Sequence, residues 1–179
     1  MHMWNVVQVE GAWYHLDATW SDSDTLVNYK YFNVTDEMIQ NDHVIYDTYF
    51  GKDGEDSQVE NAEYGNIRLP VCNSLDANYY ASKAVRINSY DRSADAAIVA
   101  AIEAAARKGE ESFSVYIGKD LAFDEAVDKM FSEYPYKLTN CIRRAARNLG
   151  IEINYRESVF VADETTRGIT VKIQYENDE

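Results

Sequence analysis

The sequence predicts an α+β protein, because two kinds of hydrophobic periodicity occupy separate parts of the 179-residue chain. The first twenty residues alternate apolar and polar side chains, which is typical of β-strands. Beyond residue 82, alanine-rich and amphipathic segments with helical spacing alternate with short runs of strand-forming residues. We therefore expect an antiparallel sheet in residues 1–80, followed by a two-layer accessory α+β module in residues 82–179.

The segment from His2 to Trp20 predicts a β-hairpin with its turn at Glu10-Gly11. Facing residues then have numbers that sum to 21, so His2 would lie opposite Thr19 and Trp4 opposite Asp17. His2 and Asp17 become diagonal neighbours on one face, with Cβ atoms on the order of 7 Å apart. The other face is the more uniformly apolar one and is the expected core face: Met3, Val7, Val9, Tyr14, Leu16 and Trp20.

Four shorter features follow the hairpin. The tyrosine-rich run VNYKYFNV favours a strand, and Thr35-Asp36 is typical of the start of a short helix. Residues 51–66 are acidic and contain glycine, so we expect a loop there. Their acidic side chains lack the ordered spacing of a calcium-binding loop, so no metal site is predicted. Residues 67–83 are interpreted as a connector.

The second half of the chain predicts the element order βαβααββ. The expected elements are a strand at 84–89, a helix capped by Ser93 and ended by Gly109, a strand at 112–117, helices at 120–133 and 138–149, the second closing at Gly150, and a hairpin of strands at 151–162 and 169–176.

Charge and composition exclude two classes of partner. The formal net charge of −14 repels phosphate backbones, so we expect no nucleic-acid partner. No apolar run approaches the roughly 18 to 20 residues of a membrane-spanning helix, and no basic and apolar leader precedes His2.

The cysteines Cys72 and Cys141 lack the spacing of a zinc site or a disulfide framework, so we expect free thiols and no cofactor.

A histidine and an aspartate that face the same way on adjacent strands form the base and the orienting carboxylate of a nucleophilic triad. The pattern by itself does not distinguish His2 and Asp17 from two polar residues on the open face of a hairpin. His15 is a rival base, but it faces Val6, and we expect a structural role for it. Trp4 and Trp13 are candidates for the wall of a peptide cleft, with packing in the hairpin as the alternative.

The residues around this pair resemble the His-to-Asp segment of the transglutaminase-like superfamily of papain-related cysteine enzymes. The matching residues are His2, Trp4, Asn5, Gly11, Trp13, Tyr14, Asp17 and Trp20. The segment YKYFNVTDEMIQNDH at 29–43 is similar to the stretch that follows in bacterial members. PVCNSLDANYY is similar to the segment that closes the catalytic domain in some of them.

The resemblance implies that residues 1–80 are the C-terminal portion of a transglutaminase-like catalytic domain. His2 would be the general base and Asp17 its orienter. A protein or peptide would be the substrate, with a cell-wall peptide as one candidate. The location implied is secreted or on the surface of a bacterium. The resemblance gives no function to residues 82–179.

The nucleophilic cysteine of that family lies upstream of the histidine, and only Met1 precedes His2 here. Cys72 falls in the connector, and Cys141 falls within a predicted helix beside its apolar face. We therefore expect the nucleophile to be absent from this chain and the chain to be inactive as given. The alternative is a non-catalytic surface binding or adhesion module that acts through residues 82–179.

Overall fold

The computed structural model describes residues 2–22, 26–45, 69–132 and 137–176, together with the backbone of 48–50 and 56–58. These residues form the predicted α+β fold, with a three-stranded antiparallel sheet in the first half and a four-stranded mixed sheet in the second. None of the described helices has the length and apolar character needed to cross a membrane.

The N-terminal hairpin has the predicted register. Strands β1 (Asn5–Val9) and β2 (Ala12–Leu16) pair so that facing residue numbers sum to 21. The turn residues Glu10 and Gly11 both have positive φ, which is the conformation that a tight hairpin turn requires. The ladder ends at Leu16, because Asp17 caps the short helix α1 (Ala18–Ser21) by accepting a hydrogen bond from the Trp20 amide. The predicted pairing of His2 with Thr19 therefore does not form.

The expected core face of the hairpin was wrong in part. Met3 and Trp20 are 79% and 45% exposed, whereas His15 and Asp17 on the opposite face are buried. Both faces of β2 contact other parts of the chain: Nε2 of His15 lies 2.7 Å from Asp36 Oδ1 on one face, and Tyr14 is buried on the other. Tyr14 packs on the connector, where its hydroxyl donates to Ser74 Oγ at 3.0 Å.

The region after the hairpin supplies the third strand and a short helix. Strand β3 (Phe32–Val34) leads into helix α2 (Asp36–Ile39), whose N-cap is Thr35 as predicted. Strands β4 (Thr48–Phe50) and β5 (Asp56–Gln58) pair antiparallel, so the expected loop at 51–66 is interrupted by a strand. The remainder of that loop lies outside the described residues.

The second half has the predicted order βαβααββ. Its elements follow a short helix, α3 (Tyr79–Lys83), and are β6 (Val85–Ile87), α4 (Arg92–Arg107), β7 (Ser112–Ile117), α5 (Phe123–Ser132), α6 (Leu138–Leu149), β8 (Phe160–Asp163) and β9 (Gly168–Lys172). The sheet order is β6-β7-β9-β8, with β6 and β7 parallel and the other pairs antiparallel. Apolar residues of α4, α5 and α6 pack with those of the sheet in one core.

Several boundaries in this half differ from expectation: β6 and α5 are shorter than predicted, β9 ends at Lys172 rather than at 176, and two further differences concern α4 and β8. Helix α4 is capped by Asp91 rather than Ser93, because the Asp91 side chain accepts a hydrogen bond from the Ser93 amide. Both are cap-forming residue types, so the sequence does not separate them. The strand expected from residue 151 begins only at Phe160, and its first part contributes one isolated bridge, between Ile153 and Tyr175.

Helix α3 lies where the predicted domain boundary falls. Its Tyr80 is buried, and its hydroxyl bonds with Thr170 Oγ1 of β9 at 2.9 Å. Gly168 permits this contact, because a Cβ at that position would lie 2.3 Å from the Tyr80 ring. Residues of the first half also contact the second sheet, as Lys30 does with Asp163 at 3.9 Å. The division into 1–80 and 82–179 stays a prediction.

Candidate functional site

The predicted pair of His2 and Asp17 is in direct contact. His2 precedes β1 and Asp17 follows β2, so the open end of the hairpin brings them together. Nε2 of His2 is hydrogen-bonded to Oδ2 of Asp17. The Trp20 ring stacks on the imidazole of His2, with the ring centroids 4.8 Å apart. The contact agrees with the predicted geometry, although Asp17 is at a helix cap rather than within a strand.

Asp17 is a buried carboxylate held in its ionised form. Burial opposes ionisation, but hydrogen bonds from His2, His43 and the Trp20 amide outweigh it and lower the Asp17 pKa. The amide lies 3.1 Å from Oδ1, and Oδ2 faces the two histidines. Because an ionised carboxylate only accepts hydrogen bonds, Nε2 of His2 is the donor.

The other ring nitrogen of His2, Nδ1, is available to accept a proton. With the proton on Nε2, Nδ1 carries the lone pair, and no group among the described residues bonds with it. The side chain is 30% exposed, so solvent or a substrate can reach the ring. This arrangement fixes one imidazole tautomer and leaves the other nitrogen as a proton acceptor.

His43, which follows α2, is the site residue that sequence reasoning missed. Its buried ring lies between two carboxylates, with Nε2 3.0 Å from Asp17 Oδ2 and Nδ1 2.6 Å from Asp42 Oδ1. The available signal was the Asp42-His43 dipeptide at the end of the second segment with family resemblance. Local patterns could not pair His43 with Asp17, because the two residues are far apart along the chain.

Asp42 is itself supported by two donors. Its Oδ2 accepts from the Tyr31 hydroxyl at 2.6 Å and from Lys30 Nζ at 2.7 Å. Burial raises the Asp42 pKa, but these donors and His43 outweigh burial and lower it to about 2. The site is therefore a continuous network from His2 through two ionised carboxylates to Lys30.

Aromatic rings surround His43. Centroid distances from its ring are 4.4 Å to Trp20, 4.9 Å to Trp4 and 5.0 Å to Tyr31. The predicted substrate-wall residue Trp4 thus lies in the site. Trp13 pairs with Gln8 near the turn. Gln8 is four residues from Trp4, which is about 13 Å along the strand, since each residue advances about 3.3 Å. Trp13 is not brought to the site.

His15 has no nitrogen available for acid–base work. Its Nδ1 accepts a hydrogen bond from the Trp4 indole at 3.0 Å. Because an indole only donates, the His15 proton is on Nε2, which donates to Asp36 Oδ1 at 2.7 Å. The geometry agrees with the structural role expected for His15.

Neither cysteine is a nucleophile in this fold. Burial, reinforced by the neighbouring Asp36, raises the Cys72 pKa to about 11. Burial and a hydrogen bond to Asp95 raise the Cys141 pKa to about 12. Both thiols are buried and protonated at neutral pH. A cysteine needs a lowered pKa and access to react, and both conditions fail here.

No protein-family model matches this chain, and no curated protein matches it at a significant level. The class of the site is therefore defined by its geometry. It consists of two imidazoles on one buried, ionised carboxylate, enclosed by aromatic rings and open to solvent at His2.

Proposed function

We propose that His2 and Asp17 are the general base and the orienting carboxylate of a cysteine-dependent acyltransferase or peptidase of the transglutaminase-like type. In this proposal residues 1–80 are the C-terminal portion of its catalytic domain. The observation that carries the proposal is the bond from His2 Nε2 to Asp17, which leaves Nδ1 as the proton acceptor. The resemblance of residues 2–20 and 29–43 to that family supports the same assignment.

The chemistry follows from the two nitrogens of His2. Nδ1 takes the proton of a thiol placed beside it, and the Asp17 carboxylate stabilises the resulting imidazolium. The thiolate attacks the carbonyl carbon of a glutamine or peptide amide, the C–N bond breaks, and His2 returns the proton to the departing nitrogen. Water or a second amine then attacks the thioester and releases the acyl group. The proposed substrate is a protein or peptide, with a cell-wall peptide as one candidate.

The thiol in this proposal belongs to a part of the protein outside these 179 residues. The two cysteines of the sequence are buried, and the pKa of each thiol is raised. The 179-residue chain is therefore expected to show no cysteine-dependent activity by itself. Activity from this chain that disappeared in His2→Ala would contradict that expectation.

The test uses the protein encoded by the complete reading frame. Ammonia release and amine incorporation are measured with a glutamine-containing peptide, before and after alkylation with iodoacetamide. His2→Gln and Asp17→Asn should each lower kcat by roughly 10²-fold to 10⁴-fold, the range for loss of a general base. Asp22→Asn, at an exposed carboxylate near the site, is the matched control and should retain full activity. Unchanged activity in His2→Gln would overturn the proposal.

A further inference from the structure

Three donor groups from separate parts of the chain converge beside Trp20. His2, Asp17 and His43 each offer an electron-pair donor atom, and these atoms lie within 4.8 Å of one another. We propose that they form a binding site for a divalent transition-metal ion, with Zn²⁺ as its occupant. Two imidazole nitrogens and one carboxylate oxygen are a donor set that Zn²⁺ binds in proteins.

The nitrogens of His2 and His43 converge on one carboxylate oxygen. Nε2 of His43 lies 3.0 Å from Oδ2 of Asp17, and Nε2 of His2 contacts the same oxygen. In the metal-free protein, ring protons bridge these contacts. A divalent cation that replaced those protons would be contacted by both imidazoles and by the carboxylate at once.

The contact between Asp42 and His43 is a second, independent indication. Histidine ligands of metals commonly donate their other ring N–H to a carboxylate, which fixes the tautomer and makes the ligating nitrogen more basic. Asp42 has this position on His43, and Tyr31 and Lys30 hold Asp42 in place. The cluster therefore has supporting partners beyond the three ligands.

Access to the site is from the side of His2. The His43 and Asp17 side chains are buried, and His2 is 30% exposed next to the exposed ring of Trp20. An ion bound to these three donors would keep a position for water toward solvent. This inference does not rest on the proposed acyl-transfer role. The acyl-transfer role and the metal site both use Oδ2 of Asp17. Bound Zn²⁺ would therefore replace the hydrogen bond by which Asp17 orients His2.

One other group of side chains in the described part of the chain has comparable spacing: His15, Asp36 and Cys72. Its imidazole and carboxylate have hydrogen-bond partners, as those of the proposed site do, so the thiol is what distinguishes it. Trp4 occupies His15 Nδ1, and the Cys72 amide bonds with Asp36 Oδ2 at 3.1 Å. Its thiol is buried and its pKa is raised. We expect this group to bind no metal, so Cys72→Ser provides a matched control.

The experiment is metal titration of the chelator-treated 179-residue protein. Isothermal calorimetry with Zn²⁺ should give one site per chain, and Co²⁺ should give visible d–d absorption without a thiolate charge-transfer band. Asp42→Asn, at the carboxylate behind His43, should weaken binding by roughly 10-fold to 100-fold. His43→Gln and His2→Gln each remove a ligand and should weaken it at least as much, and Cys72→Ser should leave it unchanged. Circular dichroism checks that each metal-free variant is folded.

The absence of one-to-one Zn²⁺ binding by the wild-type chain would overturn the inference, whatever the variants do. An affinity for Zn²⁺ that is unchanged in His2→Gln, at the most exposed ligand, or that is lost in Cys72→Ser, would overturn it as well. The titration needs no nucleophilic thiol, so a failed activity assay and a failed titration are distinct results.

Discussion

Nε2 of His43 lies 3.0 Å from Oδ2 of Asp17, the same oxygen that accepts the hydrogen bond of His2. A single buried carboxylate therefore organises two imidazoles from opposite ends of the first 45 residues. The stability of this region and the chemistry proposed for it therefore depend on the same side chain.

Replacement of Asp17 by alanine should destabilise the fold. The change removes the N-cap of α1 and the shared acceptor of His2 and His43. We expect the free energy of unfolding to fall by about 2 to 4 kcal/mol, from a lost cap and unpaired buried donors. Urea denaturation measures it, with exposed Asp22→Ala as the control. Equal midpoints for the two variants would show that Asp17 has no structural role.

The ionised state of Asp42 should contribute to stability in a defined pH window. Its pKa is lowered from 3.8 to about 2, so its contribution is present above pH 3.8 and is lost as the pH falls toward 2. With a chelator present at about pH 6, we expect Asp42→Asn to lower the free energy of unfolding by about 1 to 2 kcal/mol. The value is reduced because the Asp42 side chain is partly exposed and solvent screens its charge. The difference from wild type should shrink below pH 3.8. A difference that is constant down to pH 2.5 would contradict the assignment.

The two thiols should be unreactive in the native state. Burial raises the pKa of Cys72 to about 11 and that of Cys141 to about 12, so the thiolate fraction at pH 8 is small. We expect reaction with a disulfide reagent to be at least about 100-fold slower than in denaturant. Absorbance of the released chromophore measures the rate. One thiol that reacts at the rate of free cysteine would contradict the proposal that neither is a nucleophile.

Gly168 should not accept a side chain. An alanine Cβ would lie 2.3 Å from the buried ring of Tyr80, which cannot move without disturbing the sheet. We expect Gly168→Ala to cost about 1 to 3 kcal/mol, the range for an overpacked core. Tyr80→Phe, which removes the hydroxyl that bonds with Thr170 and with the Tyr29 backbone, should cost about 1 kcal/mol. Thermal unfolding compares the variants, and a neutral Gly168→Ala would contradict the close packing.

Local sequence signals predicted the elements whose boundaries depend on few residues. The Glu10-Gly11 turn fixed the hairpin register, and Thr35 gave the start of α2. The strand at 112–117 and the helix at 138–149 have the predicted bounds, because alternation and helical spacing are unambiguous there. The contact of His2 with Asp17 followed from that register.

Features that depend on packing between distant segments were beyond the sequence. The contact of His43 with Asp17 joins residues 26 positions apart, through β3 and α2. Likewise, the burial of His15 depends on Asp36 of α2 and on Trp4. Periodicity identifies the two faces of a strand but does not reveal which of them later segments of the chain will cover.

The central claim is that Asp17 holds the Nε2 proton of His2 and leaves Nδ1 as the acceptor. A long-range ¹H–¹⁵N correlation spectrum of the imidazole rings, recorded on the metal-free protein, reports which nitrogen of His2 carries the proton. We predict the Nε2–H form in wild type, and loss of that preference in Asp17→Ala. A His2 ring protonated on Nδ1 alone, with Nε2 as the acceptor, would contradict it.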